Sequence, residues 1–271
     1  MTIANGSSNP IGRVWRRTWT TRGRALRTAL ITGGSGGIGK ACGRRLAELG
    51  YDVVLTSRRE SPLRAAAEEI GARFVVADAA DPDSFRHAVT AAGHIHLMVH
   101  AAGVLGGTYV RKQTFAQWRE TITANLDSCF VVSAEALTSM APGSRFVFIS
   151  SSSAHEPMPS RTAYSASKAG MNAFARALAL EVDRDGINVH IVTPGPVETE
   201  MLQDVPFEMQ AIRATDVADA VAWLDSLDPS VDLPEIRLNA IARGPYAREP
   251  VVPKEVERRR AGGGHAPRDR R

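Results

Sequence analysis

Residues 28–39 read Thr-Ala-Leu-Ile-Thr-Gly-Gly-Ser-Gly-Gly-Ile-Gly, a short apolar run followed by a turn rich in glycine. A continuous apolar run of this length is typical of a strand buried on both faces of a parallel sheet. A helical pattern begins at Ile38, directly after the turn. Glycine lets the chain turn sharply and lets a phosphate approach the backbone, while the helix N-terminus offers free N–H groups. The stretch therefore predicts a dinucleotide-binding strand–turn–helix unit.

The rest of the chain alternates short apolar runs with helical patterns. We predict strands at residues 28–32, 52–57, 73–77, 96–100, 145–150, 188–193 and 235–240. We predict helices at residues 38–49, 62–70, 82–92, 115–139, 161–184 and 215–227. Alternating strands and helices that are joined by right-handed crossovers form a doubly wound sheet. The expected fold class is α/β, with seven parallel strands in a single domain.

The net charge of +4 is distributed unevenly along the 271 residues. Residues 1–27 contain six arginines and no acid, and residues 243–271 contain nine basic and four acidic side chains, which leaves residues 28–242 with a net charge of −7. We therefore expect a basic, disordered N-terminal extension, a folded domain over 28–242, and a basic C-terminal tail. Solvation of these tails is favoured over nucleic-acid binding.

The remaining composition indicates where the protein works. The sequence has no apolar run of about 18 residues that would span a membrane and no secretory signal pattern. Its two cysteines, Cys42 and Cys129, lie in separate helical patterns and suggest reduced thiols. We expect a cytoplasmic protein, although the N-terminal extension, which is rich in Ser and Thr and free of acid, also resembles a transit peptide.

Tyr164 and Lys168 lie four residues apart in a predicted helix, and Ser151 precedes the tyrosine by thirteen residues. Positions i and i+4 share one helix face, so the Lys168 ammonium can lie beside the Tyr164 ring. A neighbouring cation favours the phenolate, and we therefore expect the pKa of Tyr164 to be lowered toward neutrality. Such a pair also occurs on solvated helix faces without any function. With a serine hydroxyl nearby, it predicts proton transfer at an alcohol or ketone oxygen.

Four features, taken in their order along the chain, resemble the short-chain dehydrogenase/reductase family. They are the T-G-x-x-x-G-I-G motif at 32–39, Ser151, the Y-x-x-x-K motif at 164–168, and Pro194-Gly195 after a predicted strand. The resemblance extends over residues 28–242. It implies a Rossmann-type sheet of seven parallel strands and an NAD(P)-dependent oxidoreductase that acts on CH–OH or C=O groups.

The resemblance also implies roles for individual residues. Tyr164 would be the general acid in reduction, and Lys168 would hold the nicotinamide ribose and lower the tyrosine pKa. Ser151 would orient and polarise the substrate carbonyl, and Asn125 would support a water-linked proton relay to the lysine. Asp78 would contact adenine. The full set of expected cofactor contacts outside the second strand is Gly33, Ser35, Gly36, Gly37, Ile38, Asp78, Ala101, Ala102, Gly103, Tyr164, Lys168, Pro194, Gly195, Val197 and Thr199.

One departure from the family pattern lies after the fourth predicted strand. The family usually has Asn-Asn-Ala-Gly there, whereas this chain has His100-Ala101-Ala102-Gly103. Ala102 and Gly103 preserve the close packing over the cofactor. The hydrogen bonds of the asparagine are lost or replaced.

The end of the second predicted strand indicates which dinucleotide is bound. An acidic residue there would hydrogen-bond the ribose 2′-OH of NAD, but the chain has Ser57, Arg58 and Arg59 instead. These side chains can bind a 2′-phosphate through charge-assisted hydrogen bonds. Gly36 lacks the basic side chain that many NADP-preferring relatives carry. We expect NADP(H), with NAD(H) as the alternative.

The expected substrate contacts lie in two loops. They are Ser153, His155, Glu156, Met158, Glu198 and Met201. Residues 201–214 correspond to the family's substrate lid, and their shortness favours a polar substrate in an open pocket. His94, His96 and His100 have spacing that could suit a metal, but a zinc site needs three or four convergent ligands, and we expect none here.

These features favour NADPH-dependent reduction of a ketone to a secondary alcohol, with a role in secondary-metabolite biosynthesis. One alternative is a catalytically silent NADP-sensing protein whose tails bind nucleic acid. A second alternative is an epimerase or dehydratase, which the spacing of the glycine motif disfavours. The resemblance further implies a homodimer or homotetramer formed through the helix at 161–184 and the long helix before it. The small apolar face of the helix at 161–184 comprises Ala169, Ala173, Ala177, Leu178 and Leu180.

Overall fold

The computed structural model describes residues 27–205, 207–242, 247, 249–254, 256 and 257. The predicted N-terminal extension, apart from Arg27, and much of the predicted C-terminal tail lie outside these residues. The strands are β1 (Thr28–Thr32), β2 (Asp52–Ser57), β3 (Arg73–Val76), β4 (Leu97–His100), β5 (Arg145–Ile149), β6 (Asn188–Pro194), β7 (Val197–Glu198), β8 (Ile212–Arg213) and β9 (Glu235–Leu238). The α-helices are α1 (Gly37–Glu48), α2 (Glu60–Ile70), α3 (Pro82–Ala92), α4 (Phe115–Ile122), α5 (Ser128–Leu137), α6 (Thr162–Val182) and α7 (Ala214–Ser226).

Seven strands form one sheet in the order β3-β2-β1-β4-β5-β6-β9. All neighbouring strands in it are parallel. The chain builds the sheet outward in one direction from β1 to β3 and in the other from β4 onward. In such sheets, ligands bind at the carboxyl ends of the strands, beside the point where the direction changes. The predicted Rossmann-type α/β fold is confirmed.

Helices cover both faces of the sheet. Leu30 of β1 faces an apolar cluster shared with α3, α5 and α6, whereas its neighbours Ala29 and Ile31 face a cluster shared with α1, α2 and α7. The continuous apolar sequence of the strands follows from this double burial. Cys42 and Cys129 lie in opposite clusters, with the sheet between them.

The prediction of one continuous helix over 115–139 is wrong, because the helix is interrupted in its interior and ends earlier. The chain passes from α4 into a π-helical turn, Thr123–Asp127, before α5 begins, and α5 ends at Leu137. Asn125 in this turn hydrogen-bonds the backbone of Val104, which is distant in sequence. The apolar periodicity of a helix carries no information about such a contact. π turns of this kind occur often at functional sites.

Two short strands beside the sheet were not predicted. β7 and β8 pair in parallel as a ribbon, with Val197 opposite Ile212. The ribbon closes the base of the predicted lid, residues 201–214. At the sheet edge, β9 ends at Leu238 rather than at residue 240.

Part of the predicted C-terminal tail packs on this lid. Met209 and Val251 exchange two backbone hydrogen bonds, of 3.3 and 2.9 Å. The N–H of Lys254 donates to Gln203 Oε1 at 3.2 Å. We call the described residues 249–257 the C-terminal strap. The apolar cluster beneath the strap contains Leu105, Leu202, Val205, Met209, Ala211 and Val251. In the part of the chain that the structure describes, no helix has the length and apolar character needed to cross a membrane.

Candidate active site

The turn between β1 and α1 is shaped for close approach. A Cβ atom at Gly33, whose φ is +69°, would lie 2.8 Å from the Ala101 carbonyl oxygen, and one at Gly39 would lie 2.3 Å from the Gly33 oxygen. Gly36, in contrast, borders open space. The first turn of α1 has no side-chain cap and no acidic residue, so its N–H groups and positive dipole end are left for a ligand. These features fit the pyrophosphate of a dinucleotide.

The end of β2 presents two exposed arginines. Ser57 is the last residue of β2, and its hydroxyl donates to the Arg59 carbonyl at 3.3 Å. Neither Arg58 nor Arg59 forms an ion pair with a described carboxylate. Asp78 follows β3, and its Oδ1 accepts from the Ala80 N–H at 3.0 Å. The edge of the site is therefore cationic at β2.

The loop after β4 is tied to β1 by one threonine. Thr32 Oγ1 accepts from the N–H groups of Ala101 and Ala102, at 3.1 and 3.0 Å. With both lone pairs engaged, the Thr32 proton points to Nδ1 of His100, which lies 2.9 Å away. Thr32 and His100 therefore hold the loop after β4 against the end of β1.

The other side of His100 continues this hydrogen-bond chain. Because Nδ1 accepts, Nε2 carries the proton and donates to Ser128 Oγ at 3.1 Å. Ser128 Oγ then donates to the Ala124 carbonyl, in the π turn, at 2.8 Å. Burial, and to a lesser extent the Lys168 ammonium, lower the pKa of His100 to about 3. A neutral imidazole thus connects the glycine turn with the π turn.

Asn125 is fully buried in the π turn with its amide saturated. Its Oδ1 accepts from the Val104 N–H at 2.8 Å, and its Nδ2 donates to the Val104 carbonyl and to Ser167 Oγ, both at 3.0 Å. A Cβ atom at Gly103 would lie 3.0 Å from Asn125 Oδ1 and 3.7 Å from Lys168 Nζ. The structure therefore brings Gly103, Asn125 and Lys168 together.

Tyr164 is only 8% exposed. Burial raises the pKa of its phenol, while a side-chain hydrogen bond with Ser151 and the charge of Arg161 act to lower it. The prediction that Lys168 brings the pKa of Tyr164 down is therefore wrong for this structure. Lys168 Nζ lies 6.0 Å from the centre of the tyrosine ring and donates to the Ile149 carbonyl at 2.8 Å. Desolvation of the phenol outweighs the nearby charges.

Lys168, which belongs to α6, is buried against the end of β5. Burial disfavours its ammonium and lowers the pKa to about 8. Its contacts are the Ile149 carbonyl and, at 3.8 Å, the sulfur of Met171. The lysine can therefore change its charge close to neutral pH.

The segment after β6 closes the other side of the predicted cofactor site. Pro194 ends β6, Gly195 follows it, and Val197 is buried in the β7–β8 ribbon. The Thr199 methyl group lies 3.2 Å from where a Cβ of Gly37 would be. This contact brings the segment 194–199 against the glycine turn. In that turn, Ser35 is partly exposed and Ile38 packs on the core.

The predicted substrate residues occupy different environments. Ser153 is buried in a 3-10 turn, Ser152–Ala154, and its N–H donates to Ser151 Oγ at 3.2 Å. The remaining residues of the set apart from His155 are exposed, and they are Glu156, Met158, Glu198 and Met201.

His155 is engaged by groups from α6 and β9. Its Nε2 lies 2.7 Å from Glu235 Oε1 and 3.2 Å from Asn172 Nδ2, and its Nδ1 lies 3.0 Å from Arg237. Burial acts to raise the pKa of Glu235, but hydrogen bonds from Thr193 and His155 lower it overall. His155 therefore ties the loop after Ser151 to the last strand of the sheet.

The histidines with metal-like spacing are separated by their hydrogen bonds. His96 Nδ1 accepts from the Thr28 N–H at 3.0 Å, and the His94 ring meets the His96 ring edge-on at 4.4 Å. His100 belongs to the chain from Thr32 to Ser128. Over the described ranges, no three His, Cys, Asp or Glu side chains are grouped as metal ligands.

Sequence reasoning missed four residues that shape the site. Thr32, Ser128 and Ser167 hold the loop after β4 and the π turn, and each is a small hydroxyl residue within a largely apolar segment. A hydroxyl side chain within an apolar segment was the signal in the sequence that could have identified these three residues. The fourth is Arg161, which precedes Tyr164 by three residues.

Comparisons with known proteins agree with this geometry. The sequence profile described as short chain dehydrogenase matches residues 27–210. The acetoacetyl-CoA reductase of Cupriavidus necator is 34% identical over 223 residues, which cover 74% of this chain and 91% of that protein. A crystal structure of BdcA in complex with NADPH superposes with a TM-score of 0.73 at 28% identity, covering 79% of this chain and 93% of that one. A crystal structure of an actinorhodin polyketide ketoreductase with NADPH superposes with a TM-score of 0.72 at 28% identity, and the match covers 79% of this chain and 95% of that one. The chain therefore belongs to the short-chain dehydrogenase/reductase family of NAD(P)-dependent oxidoreductases.

Proposed function

We propose that this protein reduces a ketone to a secondary alcohol with NADPH and that Tyr164 donates the proton. The observation that carries the proposal is the buried Tyr164 phenol, which is hydrogen-bonded to Ser151 and lies one helical turn before Lys168. Ser151 follows β5, and Lys168 bonds the carbonyl of Ile149 at the end of β5. The glycine turn follows β1, so both groups lie at the carboxyl edge of the parallel sheet. The proposed proton donor, Tyr164, therefore lies next to a turn that fits the pyrophosphate of a dinucleotide.

The residues of the site divide the work at the carbonyl oxygen. When bound, the reduced nicotinamide supplies the hydride. Ser151 donates a hydrogen bond that holds the carbonyl oxygen, and Tyr164 passes its proton to that oxygen as negative charge develops there. Because burial raises the pKa of Tyr164, the phenol stays protonated at neutral pH until the transfer. The hydrogen bond with Ser151, which acts to lower the pKa of the phenol, then stabilises the phenolate. Lys168 would hold the nicotinamide ribose, and Asn125 keeps the adjoining backbone in place.

The choice of NADPH over NADH rests on Arg58 and Arg59. Both are exposed at the end of β2, without a described carboxylate partner, and β2 ends in Ser57 rather than in an acid. The BdcA and actinorhodin ketoreductase structures were obtained with NADPH. We expect Arg58→Ala to lower the NADPH/NADH ratio of kcat/KM about tenfold or more. An unchanged ratio would reassign the cofactor specificity.

We further propose that the reaction belongs to the biosynthesis of a secondary metabolite. Support comes from the similarity to a polyketide ketoreductase. A panel of ketones and aldehydes, monitored by NADPH oxidation at 340 nm, tests both the reaction and the range of substrates.

We also propose that two copies associate through α5 and α6. Leu180 is 83% exposed and Phe130 is 65% exposed, and the small residues Ala173 and Ala177 are exposed on the same helix as Leu180. Leu178, expected on this face, packs instead in the core of its own subunit. Light scattering tests the proposal, and a monomer would contradict it.

The decisive experiment compares Tyr164→Phe with the wild type. We expect turnover to fall by about 100-fold to 10,000-fold, since a positioned acid contributes that much, while NADPH binding is kept. NADPH binding without turnover of any carbonyl compound by the wild type would favour the silent NADP-sensing alternative. Substantial activity in Tyr164→Phe would instead remove the tyrosine from the mechanism.

A further inference from the structure

Arg161 lies at the start of α6, beside the loop after β4 and close enough to Tyr164 for its charge to act on the phenol. It is the last residue before α6, three positions ahead of Tyr164, and its side chain is half-buried. Its Nη1 donates to the Leu105 carbonyl at 3.3 Å, and a Cβ atom at Gly107 would lie only 2.4 Å from the same nitrogen. The guanidinium therefore fills the space between the start of α6 and the loop after β4, beside the proposed acid.

This guanidinium has no carboxylate partner among the described residues. Many of the other described arginines pair with an acid, for example Arg86 with Glu135 and Arg176 with Glu235. Among the described residues, the Arg161 guanidinium has one hydrogen bond, to the Leu105 carbonyl at 3.3 Å. Withdrawal of a cation from water without an anionic partner is costly, so such groups are usually paired.

Two other arginines within the described segments are informative by contrast. Arg145 is buried and also lacks a carboxylate contact, but it bonds His190 and the Leu227 carbonyl, far from the site. Arg58, also without a described carboxylate, is exposed where a phosphate is expected. Arg161 differs from both because it is partly desolvated next to the reacting atoms.

The backbone before Arg161 is held in a strained conformation. Ser160 has φ of 64°, which makes it the one non-glycine among the described residues with a positive φ. The Arg161 N–H donates to the Met158 carbonyl at 3.2 Å and closes the turn. The left-handed conformation is unfavourable for serine, and strain of this kind is concentrated at functional sites. The turn fixes the point at which Arg161 enters α6.

We propose that Arg161 binds a carboxylate or phosphate group of the substrate, so that the protein acts on anionic carbonyl compounds. The proposal rests on the reductase function proposed above and specifies its substrate class. Five donors in a planar fork suit a carboxylate or phosphate, and an incoming anion would complete the unsatisfied guanidinium. The proximity of Arg161 to Tyr164 places that anion near the carbonyl to be reduced.

The test uses matched substrates that differ only in charge. Steady-state kcat/KM is measured with NADPH for 4-oxopentanoate, for its methyl ester and for its amide. We expect the wild type to favour the carboxylate over the ester by about tenfold or more, the strength of a charge-assisted hydrogen bond. Arg161→Gln should reduce this ratio to about one, mainly through KM for the carboxylate. Arg161→Lys, which keeps the charge and loses the fork, should restore part of it.

A control variant and a binding measurement complete the design. Arg111→Gln removes an exposed arginine from the same loop region and should leave the carboxylate/ester ratio unchanged. An unchanged ratio in a folded Arg161→Gln would overturn the proposal. If none of the carbonyl compounds supports NADPH oxidation by the wild type, the proposed reductase function is wrong. In that case, calorimetric titration with butyrate and butyramide still decides on Arg161, since equal binding of butyrate to wild type and Arg161→Gln would reject the anion site.

Discussion

Replacement of Gly39 by alanine tests the close contact between α1 and the glycine turn. A Cβ atom there would lie 2.3 Å from the Gly33 carbonyl oxygen, 2.7 Å from the Gly33 carbonyl carbon and 3.1 Å from the Gly34 nitrogen. All three are backbone atoms, so no side-chain rotation relieves the overlap. Overpacking of a tight site costs about 1–3 kcal/mol, and a rigid backbone neighbour puts Gly39→Ala at about 3 kcal/mol.

Gly36→Ala is the matched control for stability. Its backbone is extended, with φ of −173°, and among the described residues no atom beyond its chain neighbours lies within 4 Å of the added methyl group. Loss of glycine freedom in the unfolded chain favours alanine by about 0.4–1 kcal/mol at both positions. At Gly36, a small loss of helix-capping preference opposes this gain, so the net change should stay within about 0.5 kcal/mol.

The assay is urea unfolding of both variants and the wild type, followed by circular dichroism, with NADPH affinity measured on the folded proteins. We expect Gly39→Ala to lose about 2–3 kcal/mol relative to Gly36→Ala, and to bind NADPH at least about tenfold more weakly because the turn has moved. Equal unfolding free energies for the two variants would show that the contact between α1 and the turn does not constrain the site.

Three further perturbations follow from buried contacts. His100→Leu leaves the hydroxyls of Thr32 and Ser128 without their partner and should lower the unfolding free energy by about 2–4 kcal/mol. His100→Asn keeps both a donor and an acceptor and should lose less stability. Equal losses for the two variants would contradict the hydrogen-bond chain. Folded Lys168 releases its proton at about pH 8 and the unfolded lysine at about 10.5, so the unfolded chain binds more protons between these values. Wild-type stability should therefore rise by about 3 kcal/mol relative to Lys168→Met as the pH increases from 8 to 10.5, and a constant difference in urea unfolding would disprove the burial of the charge. Val251→Asp should release the C-terminal strap and raise the substrate KM about tenfold without changing NADPH affinity, whereas Val231→Asp, at an exposed valine, should change neither constant.

The sheet could be predicted from the sequence because its signals are local. Each buried strand is a short apolar run, and the turn after β1 needs glycine at Gly33 and Gly39, where a side chain would strike the backbone. Ser151, Tyr164 and Lys168 also lie close to one another, because Tyr164 and Lys168 share α6 and Ser151 begins the loop that follows β5. These constraints act within a few residues, and the sequence displays them directly.

The hydrogen bonds that complete the site could not be predicted in this way. Thr32 and His100 are 68 residues apart, and His100 and Ser128 are 28 residues apart. Their pairing depends on strand order and on a π turn, neither of which follows from periodicity. The direction of the Tyr164 pKa shift was missed for a related reason, since helical spacing reports the nearby lysine but not the burial of the phenol. Long-range burial, rather than local pattern, sets both properties.

The C-terminal strap has a consequence for the order in which the protein matures on the ribosome. The glycine turn, Ser151, Tyr164 and Lys168 are all translated before residue 170, whereas β9 and the strap emerge after residue 234. Until Val251 leaves the exit tunnel, the lid lacks the partner that holds Met209 and completes its apolar cluster. The glycine turn therefore leaves the ribosome well before its partners in the site. Gly195, whose N–H donates to the Leu238 carbonyl of β9, waits for the last strand, and the lid waits for Val251.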